Sequence, residues 1–182
     1  MKRAGLLVLL IVLILSGCSL EYGTAAEYKS IEYYKSDWRK VCFAYEFVWD
    51  GDDENTVITV PDKADGYKVV GLGGYIGRGV PYRFSIRFPK GYKLVYDLPK
   101  NTSVKSIAFT LALGENVKEL NIGSYDEEIY YNEESNEYYK IEFWVECDAK
   151  NKTYYSLDGR LYRREDNTLI ENFNYKPLNA EV

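Results

Sequence analysis

From Val41 onward the chain alternates apolar and polar positions with a period of two. Val41, Phe43, Tyr45, Phe47 and Trp49 fall on one phase, with Cys42, Ala44, Glu46 and Val48 on the other. Side chains that point alternately to two faces mark a strand rather than a helix. Residues 50–55 (DGDDEN) read as a turn. The β-branched run 56–60 (TVITV) then returns as a strand beside the first. Pro61-Asp62 closes that strand, and Asp65-Gly66 turns the chain into residues 67–70. The alternation resumes at Tyr82, Phe84, Ile86 and Phe88, at Tyr92, Leu94, Tyr96 and Leu98, and at Ile107, Phe109, Leu111 and Leu113. Residues 127–145 predict a long hairpin with a polar tip at 132–137 (NEESNE), and residues 160–163 and 168–170 a last small one. With 16% aromatic residues, 19 of them Tyr, the composition suits half-buried strands. The predicted class is mainly β.

The first residues follow a different pattern. Met1-Lys2-Arg3 is basic, residues 6–15 are continuously apolar, and Leu15-Ser16-Gly17-Cys18 follows. Ten apolar residues are too few to span a bilayer, and small residues at the end suit a signal peptide. With cysteine directly after Leu-Ser-Gly, the segment resembles a bacterial lipoprotein signal. The resemblance implies cleavage before Cys18, a diacylglyceryl thioether on its sulfur, and a bacterial cell envelope location, lipid-anchored to the membrane outside the cytoplasm. The expected organisation is a signal at 1–17, a lipidated tether at 18–30 and one β-rich repeat-like domain at 31–182.

Cleavage leaves 165 of 182 residues, and loss of Lys2 and Arg3 takes the formal charge from −5 to −7. An acidic chain of this size is large enough for one core and argues against nucleic acid and against polybasic docking on anionic lipid. Attachment to the membrane is expected through the lipid on Cys18, where several acyl chains anchor stably. Cys42 and Cys147 then remain as a pair, a possible disulfide in an exported protein; buried free thiols are the alternative. The sequence contains no histidine, which excludes Ser-His-Asp and Cys-His catalysis and His-ligated zinc.

Two stretches resemble the β-rich leucine-rich repeats of BspA-type bacterial surface proteins. Residues 58–73 (ITVPDKADGYKVVGLG) are similar to the family's Ile-x-Ile-Pro, Gly-Tyr-x-Val and Ile-Gly. Residues 151–170 (NKTYYSLDGRLYRREDNTLI) are similar to its Asn-x-x-Tyr, Asp-Gly-x-Leu-Tyr and closing Leu-Ile. Residues 104–107 (VKSI) and 117–120 (VKEL) echo its Val-x-x-Ile. The echoes are irregularly spaced, and the Ala-Phe pair that usually follows Ile-Gly is missing. The resemblance implies a short, irregular leucine-rich-repeat-like β solenoid, with an N-terminal β-hairpin layer and residues 127–145 as an inserted hairpin. It implies a cell-surface binding or adhesion module whose ligand is an unknown protein or glycan.

Candidate chemistry is sparse. The glycines of residues 71–79 lack the spacing and following helix of a dinucleotide loop, and instead permit close crossing of layers. Asp50, Asp52 and Glu54 alternate like a calcium loop, but Asn55 and Pro61 stand where Gly and Glu are required, so no metal is expected there. Candidate contact residues are instead aromatic: Trp38, and Tyr130, Tyr131, Tyr138 and Tyr139 around the acidic tip, for which cross-strand aromatic pairing that simply stabilises the hairpin is the other reading. Adjacent tyrosines point to opposite faces, so one of each pair should be outward. Trp49 lies on the apolar phase and should be core. The leading reading is a non-enzymatic binding or adhesion module without cofactor. The alternatives are a carbohydrate- or peptide-capturing accessory protein of an uptake system, and a hydrolase built on two carboxylates.

Overall fold

The computed structural model describes residues 24–28, 30–51, 56–76, 80–123, 125 and 128–177. The signal segment, Cys18, Asp52, Glu54, Gly77 and Gly79 lie outside them. Among the described residues there are sixteen strands and no helix. They are β1 (Thr24–Tyr28), β2 (Ile31–Ser36), β3 (Val41–Val48), β4 (Val57–Val60), β5 (Lys63–Ala64), β6 (Tyr67–Leu72), β7 (Gly74–Ile76) and β8 (Val80–Tyr82). Then follow β9 (Ser85–Arg87), β10 (Tyr92–Val95), β11 (Val104–Leu113), β12 (Glu119–Leu120), β13 (Ile129–Asn132), β14 (Glu137–Cys147), β15 (Tyr154–Leu157) and β16 (Arg160–Arg163). The mainly β class is what the period-two pattern predicts.

Two open sheets hold most of these strands. The first runs β1-β2-β3-β6-β12, with β5 beside β6 and β9 beside β3; the second runs β10-β13-β14-β11-β4. The chain passes from one sheet to the other repeatedly: β3 in the first, β4 in the second, β6 in the first, β11 in the second, β12 in the first, β14 in the second. Because each passage returns in the same direction, β3, β6 and β12 are parallel, and so are β4, β11 and β14. Parallel neighbours need a long crossover, and here each crossover contains a strand of the opposite sheet.

The core lies between the two sheets. Phe47 and Trp49 meet Phe109 of β11 edge-on, with ring centroids 6.3 and 5.6 Å apart. Trp49 is 2% exposed and Phe109 fully buried, so the core expectation for Trp49 holds. Burial of each such side chain contributes roughly 1.5–3 kcal/mol. Gly74 shows why this sequence needs glycine where the layers meet. Its φ is +151°, and a Cβ there would lie 2.7 Å from the Phe43 ring, which leaves no room for a side chain.

Several expectations are corrected. Residues 41–49 and 56–60 are not a hairpin: β3 pairs with β2, β6 and β9, whereas β4 pairs with β11 in the other sheet. Alternation identifies a strand but not its partner, and Ile58 and Val60 find their apolar contacts across the core. The hairpin in residues 127–145 is no insertion. Its second strand, β14, is the centre of the second sheet, in register with all of β11 from Val104 opposite Tyr138 to Leu113 opposite Cys147. The N-terminal hairpin is likewise part of the first sheet rather than a separate layer, and the tether reading gives way at Thr24–Tyr28, which is a strand paired with β2. The last hairpin joins β15 to β16, and Leu169 meets Tyr162 only at an isolated bridge.

Cys42 and Cys147 form no disulfide; both are free thiols. Cys42 is wholly buried within the first sheet, its thiol near the Tyr67 carbonyl, and Cys147 ends β14 in the second. Burial pushes each thiol up to about 11.

Candidate binding surface

Strand β14 sets the site, because its alternation sorts the predicted tyrosines. Tyr139, Ile141, Phe143 and Val145 face the core and are buried. Tyr138, Lys140, Glu142, Trp144 and Glu146 therefore face outward. The cross-strand partners follow the same division. Tyr130 lies opposite Tyr139 and Tyr131 opposite Tyr138.

The inward pair is structural. Tyr139 is 7% exposed, its ring 5.9 Å from Tyr92, and its hydroxyl donates to Glu137 Oε2 at 2.7 Å. That hydrogen bond, helped by burial and the Glu137 charge, raises the Tyr139 pKa. Tyr130 stacks on Phe88 with centroids 4.2 Å apart and donates to Glu128 Oε2 at 2.7 Å. Burial and then Glu128 hold its hydroxyl far above the ordinary tyrosine range. Neither ring is free to meet a ligand.

The outward pair is different. Tyr131 and Tyr138 are partly exposed, with ring centroids 5.0 Å apart and planes inclined at 44°. Tyr131 Oη donates to Asn136 Oδ1 at 2.8 Å, which ties the ring to the hairpin turn. From this pair the outward face continues across the parallel strands. Ser106, Ala108, Thr110 and Ala112 of β11 lie opposite Lys140, Glu142, Trp144 and Glu146. Val57 and Thr59 of β4 lie opposite Thr110 and Ala112 on the other side. Ser106, Thr59 and Glu146 are exposed, and Val57 is 59% exposed. Small side chains along β11 thus make a shallow trough between Trp144 and Val57. Lys140 pairs with the buried Glu142 carboxylate at 2.6 Å and neutralises the middle of the face.

At the C-terminal ends of these strands the trough opens into a cavity of about 370 Å³, lined by Thr59, Asp62, Ala112, Gly114, Glu146 and Cys147. Sequence reasoning missed the trough. Ala108, Thr110 and Ala112 carry no chemical signal, and only the parallel register of β11 with its two neighbours brings them into one surface.

Trp38 belongs elsewhere. It lies in the turn between β2 and β3 of the first sheet, 83% exposed, and is not part of the tyrosine face. For the hydrolase reading, Glu32 and Glu46 are register partners on β2 and β3, and both pair with Arg87. Asp52 and Glu54 of the calcium comparison lie outside the described residues.

No family model matches the chain, and no curated protein matches it. Among solved structures it is similar to the crystal structure of the pneumococcal vaccine antigen PcpA, at 12% identity over 78% of this chain and 54% of that one, with a TM-score of 0.21. The chain spans about half the length of that structure, and a likeness this slight carries no argument about fold or ligand.

Proposed function

We propose that the chain is a bacterial surface lipoprotein, anchored through a diacylglyceryl group on Cys18, whose domain is a short irregular β solenoid acting as a binding or adhesion module for a protein or glycan. The passage of the chain between two sheets with parallel neighbours in each supports the solenoid reading. Irregularity comes from β7–β8, β10 and β13, which interrupt the parallel series.

The observation that carries the binding reading is the exposed part of the outward face of β4, β11 and β14, beside the buried Glu142 and the Trp144 ring on which Gly159 packs. Parallel sheets are ordinarily covered on both faces. This one leaves Val57, Thr59, Ser106 and Glu146 exposed, with the Tyr131–Tyr138 pair at its margin. Tyrosine and tryptophan supply large contact area with few rotatable bonds, which is why binding surfaces favour them. The 44° inclination of the two rings gives a rough contact patch rather than a flat platform for a sugar ring, and favours adhesion over carbohydrate capture.

Metabolic labelling with a fatty-acid analogue tests the anchor: label should enter the wild type and not Cys18→Ala, and equal labelling would overturn it. A glycan and host-protein array probed with the non-acylated Cys18→Ala chain tests the binding face. A ligand retained by Trp38→Ala and lost by Tyr131→Ala/Tyr138→Ala is expected. A ligand indifferent to the tyrosines places the contact elsewhere.

A further inference from the structure

We propose that the end of the first sheet carrying Trp38 is a membrane-facing surface that docks on the headgroups of an anionic bilayer. The inference rests on the anchor at Cys18 and adds what the domain does once anchored there.

The topology brings the anchor to this end. Thr24, the first residue of β1, lies opposite Lys35 near the end of β2, and β2 leads directly into the turn at 37–40. Cys18 stands six residues before Thr24 in the sequence. Six residues reach at most about 22 Å, so the lipidated sulfur lies within that distance of Thr24, at the end of the sheet where the turn stands.

The chemistry of this end differs from the rest of the chain. Trp38 is 83% exposed at the tip of the turn, with Arg39 and Lys40 exposed beside it. The neighbouring β5–β6 hairpin adds Lys63 and Lys68, also exposed, with Lys68 opposite Val41 of β3. With Lys35, five basic residues stand against Asp37 and Asp65, in a mature chain whose formal charge is strongly negative. Both aspartates are already engaged, since Asp37 accepts the Tyr67 hydroxyl and Asp65 pairs with Lys35. Lys35 and Lys40 each lie 5.2 Å from the Tyr67 ring centre, so the two turns are tied together and hold Trp38 outward. Arg39, Lys63 and Lys68 make no ion pair with a carboxylate among the described residues.

Tryptophan settles at the headgroup level of a bilayer, and basic side chains beside it are drawn to anionic lipid within a Debye length. Neither effect would hold a net-acidic protein on a membrane alone. Next to an acyl anchor they fix its orientation, with Trp38 in the interface and the 37–40 turn against the lipid.

The test uses the acylated chain in vesicles of phosphatidylcholine with phosphatidylglycerol, containing brominated acyl chains that quench tryptophan. Trp49 is buried in the core and Trp144 lies in the other sheet against Gly159, so the difference between the wild type and Trp38→Phe isolates the contribution of Trp38. The wild type should float with the vesicles and lose emission to the bromolipid. In Trp38→Phe that loss should vanish, and in Arg39→Gln/Lys40→Gln/Lys68→Gln it should shrink. A wild-type chain that floats with unquenched Trp38 overturns the docking. A chain that fails to float overturns the anchor instead. The docking is then read from the Cys18→Ala chain held on the same vesicles by an N-terminal His tag, in place of residues 1–17, on nickel-chelating lipid, where quenching of Trp38 supports it and unchanged emission overturns it.

Discussion

Gly159 packs directly on the indole of Trp144: a Cβ built on Gly159 would lie 2.2 Å from the ring. The turn Asp158-Gly159, with φ of +49° and +70°, joins β15 to β16, and the Gly159 carbonyl accepts a hydrogen bond from Val145 N at 2.8 Å. The Asp-Gly pair of the repeat resemblance is therefore the point where the last hairpin clamps the central strand of the second sheet. Gly159→Val combines a left-handed backbone that β-branched residues avoid with a clash against a ring, at a cost of about 3 kcal/mol or more. Thermal unfolding should shift down by roughly 6–12 °C. An unchanged midpoint would show that the turn does not clamp β14.

Asn151 offers a second test of the same region. It is 2% exposed, and its amide meets four backbone groups at 2.9 Å. It donates to the carbonyls of Gly114 and Val117 and accepts from the amides of Thr153 and Tyr154. Every donor and acceptor position of the side chain is used. Asn151→Ala leaves all four groups without it and should destabilise by about 3 kcal/mol, measured by urea denaturation. Asn151→Asp should be comparably harmful, because a carboxylate cannot donate to the two carbonyls.

Tyr138 and Tyr139 adjoin in sequence and should differ sharply in effect. Tyr139→Ala empties a buried site among aromatic rings and should cost about 3 kcal/mol of stability. Tyr138→Ala, on the outward face, should cost less than about 1 kcal/mol. Parallel denaturation curves for the two variants check the face assignment, and equal losses would contradict it.

The two thiols give a pH prediction. Burial raises Cys42 and Cys147 from an ordinary value of 9.0 to about 11, so the folded chain holds these protons where the unfolded chain releases them. Their contribution to stability is complete below pH 9 and is lost as pH rises towards about 11. Native protein at pH 8 should react slowly with a thiol reagent, and denatured protein should show both thiols without prior reduction. Failure to titrate them after denaturation would mean that they are bridged.

Much of this was legible in the alternation of side chains. Strand identity at 41–48, 104–113 and 137–147 and the core position of Trp49 follow from the period alone, and the Asp158-Gly159 turn from the repeat resemblance. Partner choice did not follow. Period two places Ile58 and Val60 on an apolar face without saying which sheet completes it, and the shortest loop suggests a hairpin where the chain in fact crosses the core. The polar tip at 132–137 suggested an inserted hairpin, although Ile141, Phe143 and Val145 are too apolar for a strand outside the core. The uniformly acidic balance likewise concealed the local basic end around Trp38, which arises only when β2, β3 and the β5–β6 hairpin are brought together.

The binding face is tested most directly by the affinity of one array-identified ligand for three forms of the non-acylated chain, measured at equilibrium in solution. The wild type and Trp38→Ala should bind alike, and Tyr131→Ala/Tyr138→Ala should bind at least about tenfold more weakly while unfolding at nearly the wild-type temperature, since exposed aromatic anchors carry most of a contact's energy. Equal affinity in all three forms would contradict the assignment of the outward face of β11 and β14 as the contact surface.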